Sequence, residues 1–274
     1  MTTDAHTLAR RIRRSIIEES YRAHVGHIGS ALCIADVLAV LFGQILRLDG
    51  GEDRDRLILS KGHAALALYA ALAATGQMSY EELATFCSDG TALGAHPEHV
   101  VAGIDFSTGS LGQGLSVGAG AALAARLQGS DRRAFVLISD AEMNEGSVWE
   151  AAMFAAHQQL GRLVAILDVN GQQALGYTRD VLDLEPVAER WSQFGWTVDE
   201  VDGHDVDQLG ACLAADTEAH APPRLLVART TFGKGVSYME NKIDWHYLPM
   251  SEEHFSQAME ELDIELTAHS GGRT

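Results

Sequence analysis

Two strand endings, Ala134-Phe-Val-Leu-Ile-Ser-Asp-Ala-Glu142 and Leu163-Val-Ala-Ile-Leu-Asp-Val-Asn-Gly-Gln172, decide the fold of this chain. Each is an apolar run that stops at polar residues, and a helical pattern lies between the two runs. A strand, a helix and a second strand in this order form a βαβ unit with parallel strands. Because ligands of open α/β sheets collect beyond the carboxyl ends of such strands, we expect Asp140 and Asn170 to meet there.

The residue types at these two strand ends favour a metal-bound diphosphate. An Asp carboxylate, an Asn amide oxygen and a loop carbonyl are the hard oxygen ligands that Mg²⁺ prefers, and phosphate oxygens complete its octahedron. We therefore predict a magnesium site formed by Asp140, Asn170 and Gln172. The alternative is that Asp140 caps a helix and Asn170 occupies a turn, but their position at matched strand ends favours the metal.

The same alternation continues along the chain and predicts an α/β fold. Beyond Asp140, helical patterns and apolar strands follow one another, which indicates a mainly parallel sheet flanked by helices. Residues 7–24 have helical spacing, and residues 30–46 and 63–75 are apolar enough to form buried helices. A last helix is predicted near residues 251–269, before a polar tail. We expect residues 1–274 to form a single diphosphate-binding domain.

The first strand ending resembles the thiamine diphosphate motif of transketolases. The usual form of that motif is Gly-Asp-Gly, a glutamate a few residues later, and an Asn-bearing strand end about one βα unit further on. This chain keeps Asp140, has Ser139 and Ala141 at the two glycine positions, and continues with Glu142 and Glu145. The resemblance implies the thiamine diphosphate-binding fold, with thiamine diphosphate and Mg²⁺ as cofactors.

Four histidines stand in motifs that resemble those of transketolases and follow the same order: His27, His63, His96 and His246. A single histidine near apolar residues is usually structural, so the functional interpretation depends on the four together. The resemblance implies that His27 and His96 face substrate hydroxyls. It also implies that His63 and His246 contact the diphosphate and that they shuttle protons, which makes His246 both a cofactor-binding and a catalytic residue.

The loop from Ser107 to Gly114 resembles the transketolase loop that approaches the aminopyrimidine ring. By the same resemblance, the further cofactor-binding residues are Ser110, Leu111, Gly112, Ala141 and Glu142. Glu145 is predicted to be catalytic on this ground as well, although it could simply precede a helix.

The implied activity is transfer of a two-carbon ketol unit from a ketose (phosphate) to an aldose (phosphate). Transketolases also need a pyrimidine-binding domain, for which we find no second α/β unit in this chain. We therefore expect a partner chain, a carboxy-terminal subunit that carries that domain, in an α₂β₂ heterotetramer that is active only when complete. Cationic groups that hold a substrate phosphate are expected on that partner.

Other thiamine diphosphate enzymes are the main alternative. The chain could be a subunit of a deoxyxylulose-phosphate-synthase-like or oxo-acid dehydrogenase-like enzyme, but Lys61-Gly62-His63 and His96-Pro97 favour transketolase. A non-catalytic cofactor-binding module is suggested by the two glycine replacements in the thiamine diphosphate motif. Turnover in the presence of the partner separates these possibilities.

Composition narrows the class of partner and the location. The net charge of −18, with 20 Lys and Arg among 274 residues, argues against a nucleic-acid surface. We find neither an apolar run of about 18 residues nor a signal peptide, and so expect no membrane association and a cytoplasmic location. The three cysteines lie outside any CxxC spacing and are interpreted as core or incidental thiols.

Three other kinds of ligand site, for a dinucleotide, a nucleotide phosphate and zinc, do not match the sequence motifs. Gly112-Gln-Gly114 lacks the strand and the spacing of a dinucleotide loop, and Gly233-Lys234-Gly235 lacks the flanking residues of a phosphate-binding P-loop. Paired histidines at two-residue gaps have no cysteine or acidic partner at zinc-ligand spacing. We therefore predict neither an NAD site, nor a P-loop, nor a zinc site.

The segment from Gly112 to Leu127 predicts a helix rich in small residues. Gly114, Gly118 and Ala122 recur at every fourth position, although a glycine inside a helix costs about 0.5–1 kcal/mol relative to alanine. We expect this smooth face to meet a partner chain or the cofactor. Close packing against another element of the same chain is the alternative.

Overall fold

A five-stranded parallel sheet forms the centre of the protein, as seen in a computed structural model that describes residues 4–270, with side chains to residue 263. In chain order the strands are β1 Arg56–Leu59, β2 Ala134–Ser139, β3 Leu163–Val169, β4 Gln172–Gln173, β5 Gly176–Tyr177, β6 Thr197–Asp202 and β7 Arg224–Arg229. The sheet order is β1-β2-β3-β7-β6, and every neighbouring pair in it is parallel. The predicted parallel α/β sheet is therefore confirmed, and β4 and β5 form a separate antiparallel hairpin.

Helices cover both faces of this sheet. They are α1 Ala5–Ala23, α2 Ile28–Leu32, α3 Ala35–Val40, α4 Ala65–Ala74, α5 Tyr80–Leu83, α6 Gly114–Leu127, α7 Gly146–His157, α8 Thr178–Val181, α9 Val187–Gln193, α10 Val206–Ala214 and α11 Glu252–Ser270. The Asp4 side chain caps α1 by accepting from the backbone N–H groups of His6 and Thr7. The polar tail beyond residue 270 lies outside the described residues.

Two hydrophobic clusters lie on opposite faces of the sheet. Side chains of β2 alternate between them, because successive residues of a strand point to opposite faces. Phe135 and Leu137 pack with α1 to α4, whereas Val136 and Ile138 pack with α6, α7 and α9. All of β2 is buried, and β3 is buried up to Val169. The polar residues that follow these strands are therefore attached to well-packed core strands.

The sequence-based prediction that the chain has no long apolar run is wrong for one segment. Residues Ile28–Ile45 have a mean hydropathy of 2.0 and by length and composition could cross a membrane. The structure interrupts this segment at Cys33 and Ile34, between α2 and α3, and α3 then continues directly as a π-helix over Leu41–Ile45. Because 83% of the segment is buried inside the protein, its apolar character is that of core helices.

The smooth face of α6 packs within the chain, so the expectation that it meets a cofactor or partner is wrong there. A Cβ added to Gly114 would lie 2.3 Å from the Ser60 hydroxyl oxygen. One added to Gly118 would lie 2.2 Å from a methyl carbon of Val136 on β2. By contrast, a Cβ on the exposed Gly120 would meet nothing within 4 Å among the described residues. The glycines therefore allow the helix backbone to approach the sheet closely.

Two alanine substitutions in α6 should have opposite effects on stability. Gly118→Ala forces Val136 to move in a well-packed core and should lower the free energy of unfolding by about 1–3 kcal/mol. Gly120→Ala adds no contact and should raise it by about 0.5–1 kcal/mol, because alanine favours the helix interior. Urea unfolding of the isolated chain, followed by circular dichroism, measures both. Equal stability of the two variants would contradict this packing.

Candidate functional site

The carboxyl ends of β2 and β3 meet at one edge of the sheet. Ser139 is in register with Asp168, and the Asp140 N–H donates to the Asp168 carbonyl at 3.1 Å. The Asp140 carboxylate accepts from the N–H groups of Ala141 and Gly171, both at 2.8 Å. Since Gly171 directly follows Asn170, the two strand ends are in contact, as the sequence predicts.

The electrostatic environment of Asp140 is suited to a cation. Burial and the neighbouring Asp168 carboxylate raise the pKa of Asp140 to about 7, against the opposing effect of two backbone N–H donors. The side chain is 7% exposed, so water screens its charge only weakly. A divalent cation would remove this unfavourable charge, and the oxygens of Asp140 are the type of ligand that Mg²⁺ takes.

A buried ion pair that was not predicted from the sequence lies next to these residues. Lys61 is fully buried, and its ammonium group pairs with the Asp168 carboxylate. Burial alone would lower the pKa of Lys61, but Asp168 raises it above the ordinary value, so the lysine is charged. Thr230 and Cys33 also donate to Asp168, the latter at 3.2 Å. The sequence signal that could have indicated this pair is Asp168, a single acidic residue near the end of the apolar run of β3.

The ion pair fixes the orientation of Asn170. The Asn170 amide nitrogen donates to Asp168 at 2.9 Å, and an ionised carboxylate can only accept. The amide oxygen therefore points the other way, where it accepts from the Gln172 N–H at 2.9 Å. A carbonyl oxygen has two lone pairs, so the Asn170 amide oxygen keeps one lone pair that can bind a cation.

Three of the four predicted histidines form a cluster: His27, His63 and His246. Their ring centroids are 5.1 Å apart for His27 and His246, 5.5 Å for His27 and His63, and 5.8 Å for His63 and His246. His27 has a φ of 62° before α2, and its N–H donates to the His246 carbonyl at 3.1 Å. His63 contacts the Ser30 hydroxyl at 2.8 Å, and Phe232 stacks on His246. Three distant chain segments thus converge beside Asn170.

All three imidazoles are neutral at pH 7. Burial lowers the pKa of His246 to about 4, with help from His27 and Lys61. Burial, followed by the charge of Lys61, holds the pKa of His63 well below its ordinary value. The pKa of His27 is lowered by burial and then by His96. Neutral imidazoles both donate and accept hydrogen bonds, which suits hydroxyl groups and proton transfer.

The cluster lines a cavity of about 120 Å³. Seven predicted site residues surround it: His27, His63, Leu111, Ala141, Asn170, Gln172 and His246. Five other residues that line it were not among the predicted site residues: Ser30, Ser139, Gln173, Ala174 and Phe232. A larger cavity of about 560 Å³ is lined by Asp140, Asn170 and Gly171. Asn170 thus borders both cavities, so the two are adjacent.

Five predicted residues border neither cavity in the part of the chain that the structure describes: Ser110, Gly112, Glu142, Glu145 and His96. Glu142 is fully buried and accepts from Ser60, from the Gly112 N–H at 2.7 Å and from the Ser139 N–H at 3.3 Å. Its carboxylate therefore holds the Gly112 loop against β2. Direct contacts of Glu142 and Gly112 with a cofactor stay predictions.

Three of these five residues are exposed: Ser110, Glu145 and His96. Glu145 immediately precedes α7, and its side chain lies beside Gly112. His96 lies next to the same loop, because a Cβ added to Gly109 would be 3.5 Å from its ring. Their surfaces face outward in the described structure, where a substrate or second chain could reach them.

The two glycine replacements in the thiamine diphosphate motif cause no strain. Asp140 has a φ of −59° and a ψ of −41° and begins a turn that any residue can adopt. Neither Ser139 nor Ala141 has a positive φ. The Ser139 hydroxyl also accepts from the Glu142 N–H at 3.3 Å. The backbone therefore reaches the geometry of the site without glycine at these positions.

Comparison with known proteins agrees with this geometry. Residues 5–269 match the family described as transketolase, thiamine diphosphate binding domain. The chain belongs to this family. Its relatives include the 6-deoxy-6-sulfo-D-fructose transketolase subunit SqwG of Clostridium sp. (strain MSTE9), 40% identical over 259 residues, which are 93% of this chain and 94% of that protein.

A second relative of similar length is an apulose-4-phosphate transketolase subunit of Phocaeicola vulgatus. It is 40% identical over 254 residues, covering 91% of this chain and 90% of that protein. Human transketolase is 37% identical over 261 residues, but the match covers 93% of this chain and only 41% of the human protein. The transketolase family therefore includes both short subunits and longer chains.

Solved structures show the same fold. The transketolase from Leishmania mexicana has a TM-score of 0.86 and 28% identity, covering 96% of this chain and 42% of that one. The Pichia stipitis enzyme in complex with sedoheptulose-7-phosphate has a TM-score of 0.88 and 30% identity, covering 94% and 40%. The sheet and helices described above are thus the thiamine diphosphate-binding fold of transketolases.

The buried ion pair provides a stability test. Lys61→Met would leave the Asp168 carboxylate buried without a counter-charge and should lower the free energy of unfolding by about 3–5 kcal/mol. Arg179→Met is the control, because Arg179 pairs with Asp180 on the surface and should cost less than about 1 kcal/mol. Urea unfolding of both variants measures the difference. A Lys61→Met protein as stable as the control would contradict a charged pair at this position.

Proposed function

We propose that this chain is the diphosphate-binding subunit of a two-chain transketolase, which transfers a two-carbon ketol unit from a ketose (phosphate) to an aldose (phosphate). The observation that carries the proposal is the meeting of Asp140 and Asn170 beside three neutral histidines in a transketolase domain. That arrangement combines oxygen ligands for a metal with groups that suit hydroxyls and proton transfer.

The residues present fit a magnesium-bound diphosphate. Asp140, the Asn170 amide oxygen and the Gln172 backbone carbonyl are proposed to hold Mg²⁺, which offsets the charge of the buried carboxylate. His63 and His246 are proposed to contact the diphosphate as neutral donors. When bound, thiamine diphosphate supplies the carbon that carries the two-carbon unit. Ring contacts are proposed for the loop of Ser110, Leu111 and Gly112, and for Ala141 and Glu142.

His27 and His96 are proposed to bind substrate hydroxyls. The half-buried His27 imidazole is neutral and lies at the cavity, and His96 lies on the adjacent exposed loop. His246 is proposed to hold or move a proton, because its imidazole is neutral and partly enclosed. Glu145 is proposed to act from the outer side of the Gly112 loop, where its exposed carboxylate can meet a second chain.

Several observations support a partner chain. The relatives of similar length are named as transketolase subunits, and the chain spans only about two-fifths of the solved transketolases. Large apolar side chains are also exposed near the site, including Leu175, Tyr247 and Leu248, which are 81%, 54% and 51% exposed. We propose that a carboxy-terminal subunit with the pyrimidine-binding domain covers this surface in an α₂β₂ assembly. A cytoplasmic location stays a prediction.

Removal of the metal ligand tests the cofactor assignment. Asp140→Ala should weaken Mg²⁺-dependent binding of thiamine diphosphate by at least about 100-fold, because it removes the proposed carboxylate ligand of the metal. The fold should survive, since Asp140 follows a strand and is not part of either hydrophobic cluster. Calorimetry on the folded variant, with the exposed Asp49→Ala as control, measures the effect. Unchanged affinity in Asp140→Ala would show that the metal lies elsewhere.

The histidines should separate by kinetic effect in the complete enzyme. His27→Ala or His96→Ala should lower kcat/KM for the sugars by about 100-fold or more with cofactor affinity nearly preserved. His63→Ala should weaken cofactor affinity as well. Steady-state kinetics at saturating cofactor, combined with cofactor titration, separate the two effects. The same pattern at all three positions would show that this division of roles is wrong.

A further inference from the structure

The Gln172 side chain is buried without a hydrogen-bond partner. It is 4% exposed, and neither its amide oxygen nor its amide nitrogen bonds to any described residue. Its backbone, by contrast, is well held: the N–H donates to Asn170, and the residue pairs with Tyr177 in the β4–β5 hairpin. The backbone of Gln172 is therefore fixed, whereas the polar atoms of its side chain make no hydrogen bond to a described residue that would stabilise the fold.

Other unpaired polar atoms lie at the same cavity. The Gln173 amide nitrogen and the His246 Nδ1 atom are both buried and have no partner among the described residues. Gln172, Gln173 and His246 all line the cavity of about 120 Å³. Buried polar groups are nearly always paired, because leaving one unpaired is destabilising. A cluster of such atoms around one cavity indicates a ligand that completes their hydrogen bonds.

We propose that the Gln172 amide is a ligand-binding group, which recognises a hydroxyl or amino group in this cavity. This inference rests on the proposed function. The amide nitrogen needs an acceptor and the amide oxygen needs a donor, so the matching group must do both. A phosphate alone offers no donor for the oxygen. A sugar hydroxyl and the amino-substituted ring of the cofactor both have the required chemistry.

This role differs from that of Gln172 in the proposed metal site. The backbone carbonyl of Gln172 is the proposed metal ligand, and a change of side chain leaves that carbonyl in place. The side-chain amide is instead unpaired and buried in a residue that lines the cavity together with the neutral His246. The two functions can therefore be separated by substitution of the side chain alone.

The test is Gln172→Leu, which keeps a similar side-chain volume and removes both polar atoms. The ligand-free variant should unfold at the same temperature as the wild type or a higher one, since no hydrogen bond is lost. In the complete enzyme, either the affinity for thiamine diphosphate with Mg²⁺ or the KM for a ketose donor should worsen by about 3- to 10-fold. The affected quantity identifies whether cofactor or sugar is recognised. Gln193→Leu, on the exposed surface of α9, is the control.

Two results would overturn the inference. One is a Gln172→Leu enzyme whose cofactor affinity and ketose KM both stay within about twofold of the control. The other is a ligand-free variant that unfolds at a lower temperature, which would indicate a structural role for the amide. In either case normal wild-type activity leaves the proposed function intact. A wild-type complex that does not bind thiamine diphosphate would overturn the proposed function and this inference together.

Discussion

The site depends on one buried ion pair, Lys61 with Asp168, at the carboxyl edge of the sheet. Asp168 occupies the end of β3, and its charge is tolerated there because the fully buried lysine neutralises it. The carboxylate in turn orients the Asn170 amide, and Asn170 orients the following turn. The Asp140 carboxylate accepts a hydrogen bond from that turn, so the ion pair indirectly fixes the geometry of the proposed metal site.

The cationic side chains near the two cavities are already paired with carboxylates: Lys61 with Asp168, Arg179 with Asp180, and Arg229 with Glu185 and Glu200. The net charge of the chain is −18, and the histidines around the cavity are neutral, so the protein supplies little positive charge to a diphosphate. Burial and the Asp168 carboxylate raise the pKa of Asp140, so a nearby cation would stabilise the ionised form of this side chain. The proposed metal–diphosphate pair would serve the carboxylate and the phosphate at once, because a divalent ion attracts the oxygens of both. The neutral imidazoles of His27, His63 and His246 can both donate and accept hydrogen bonds, as their proposed roles toward substrate hydroxyls and the diphosphate require.

The strand ends were predictable because apolar runs that stop at polar residues mark where a parallel sheet presents its ligands. The grouping of His27, His63 and His246 in one site was predicted only from the resemblance to transketolases. No local sequence pattern indicates that residues so far apart in the chain lie close together. Burial of the Glu142 carboxylate could not be predicted, because sequence spacing does not show how a side chain turns after a strand. The small-residue face of α6 was misassigned for a related reason: spacing identifies a smooth face and not the element that packs on it.

We infer that this chain provides one half of a transketolase site. The most direct measurement is ketol transfer from a ketose phosphate to an aldose by the purified chain, with thiamine diphosphate and Mg²⁺, alone and together with a pyrimidine-domain partner. We expect no turnover by the chain alone, and activity that rises with added partner until the two chains are equimolar. Sustained turnover by the chain alone, free of any partner, would contradict this inference.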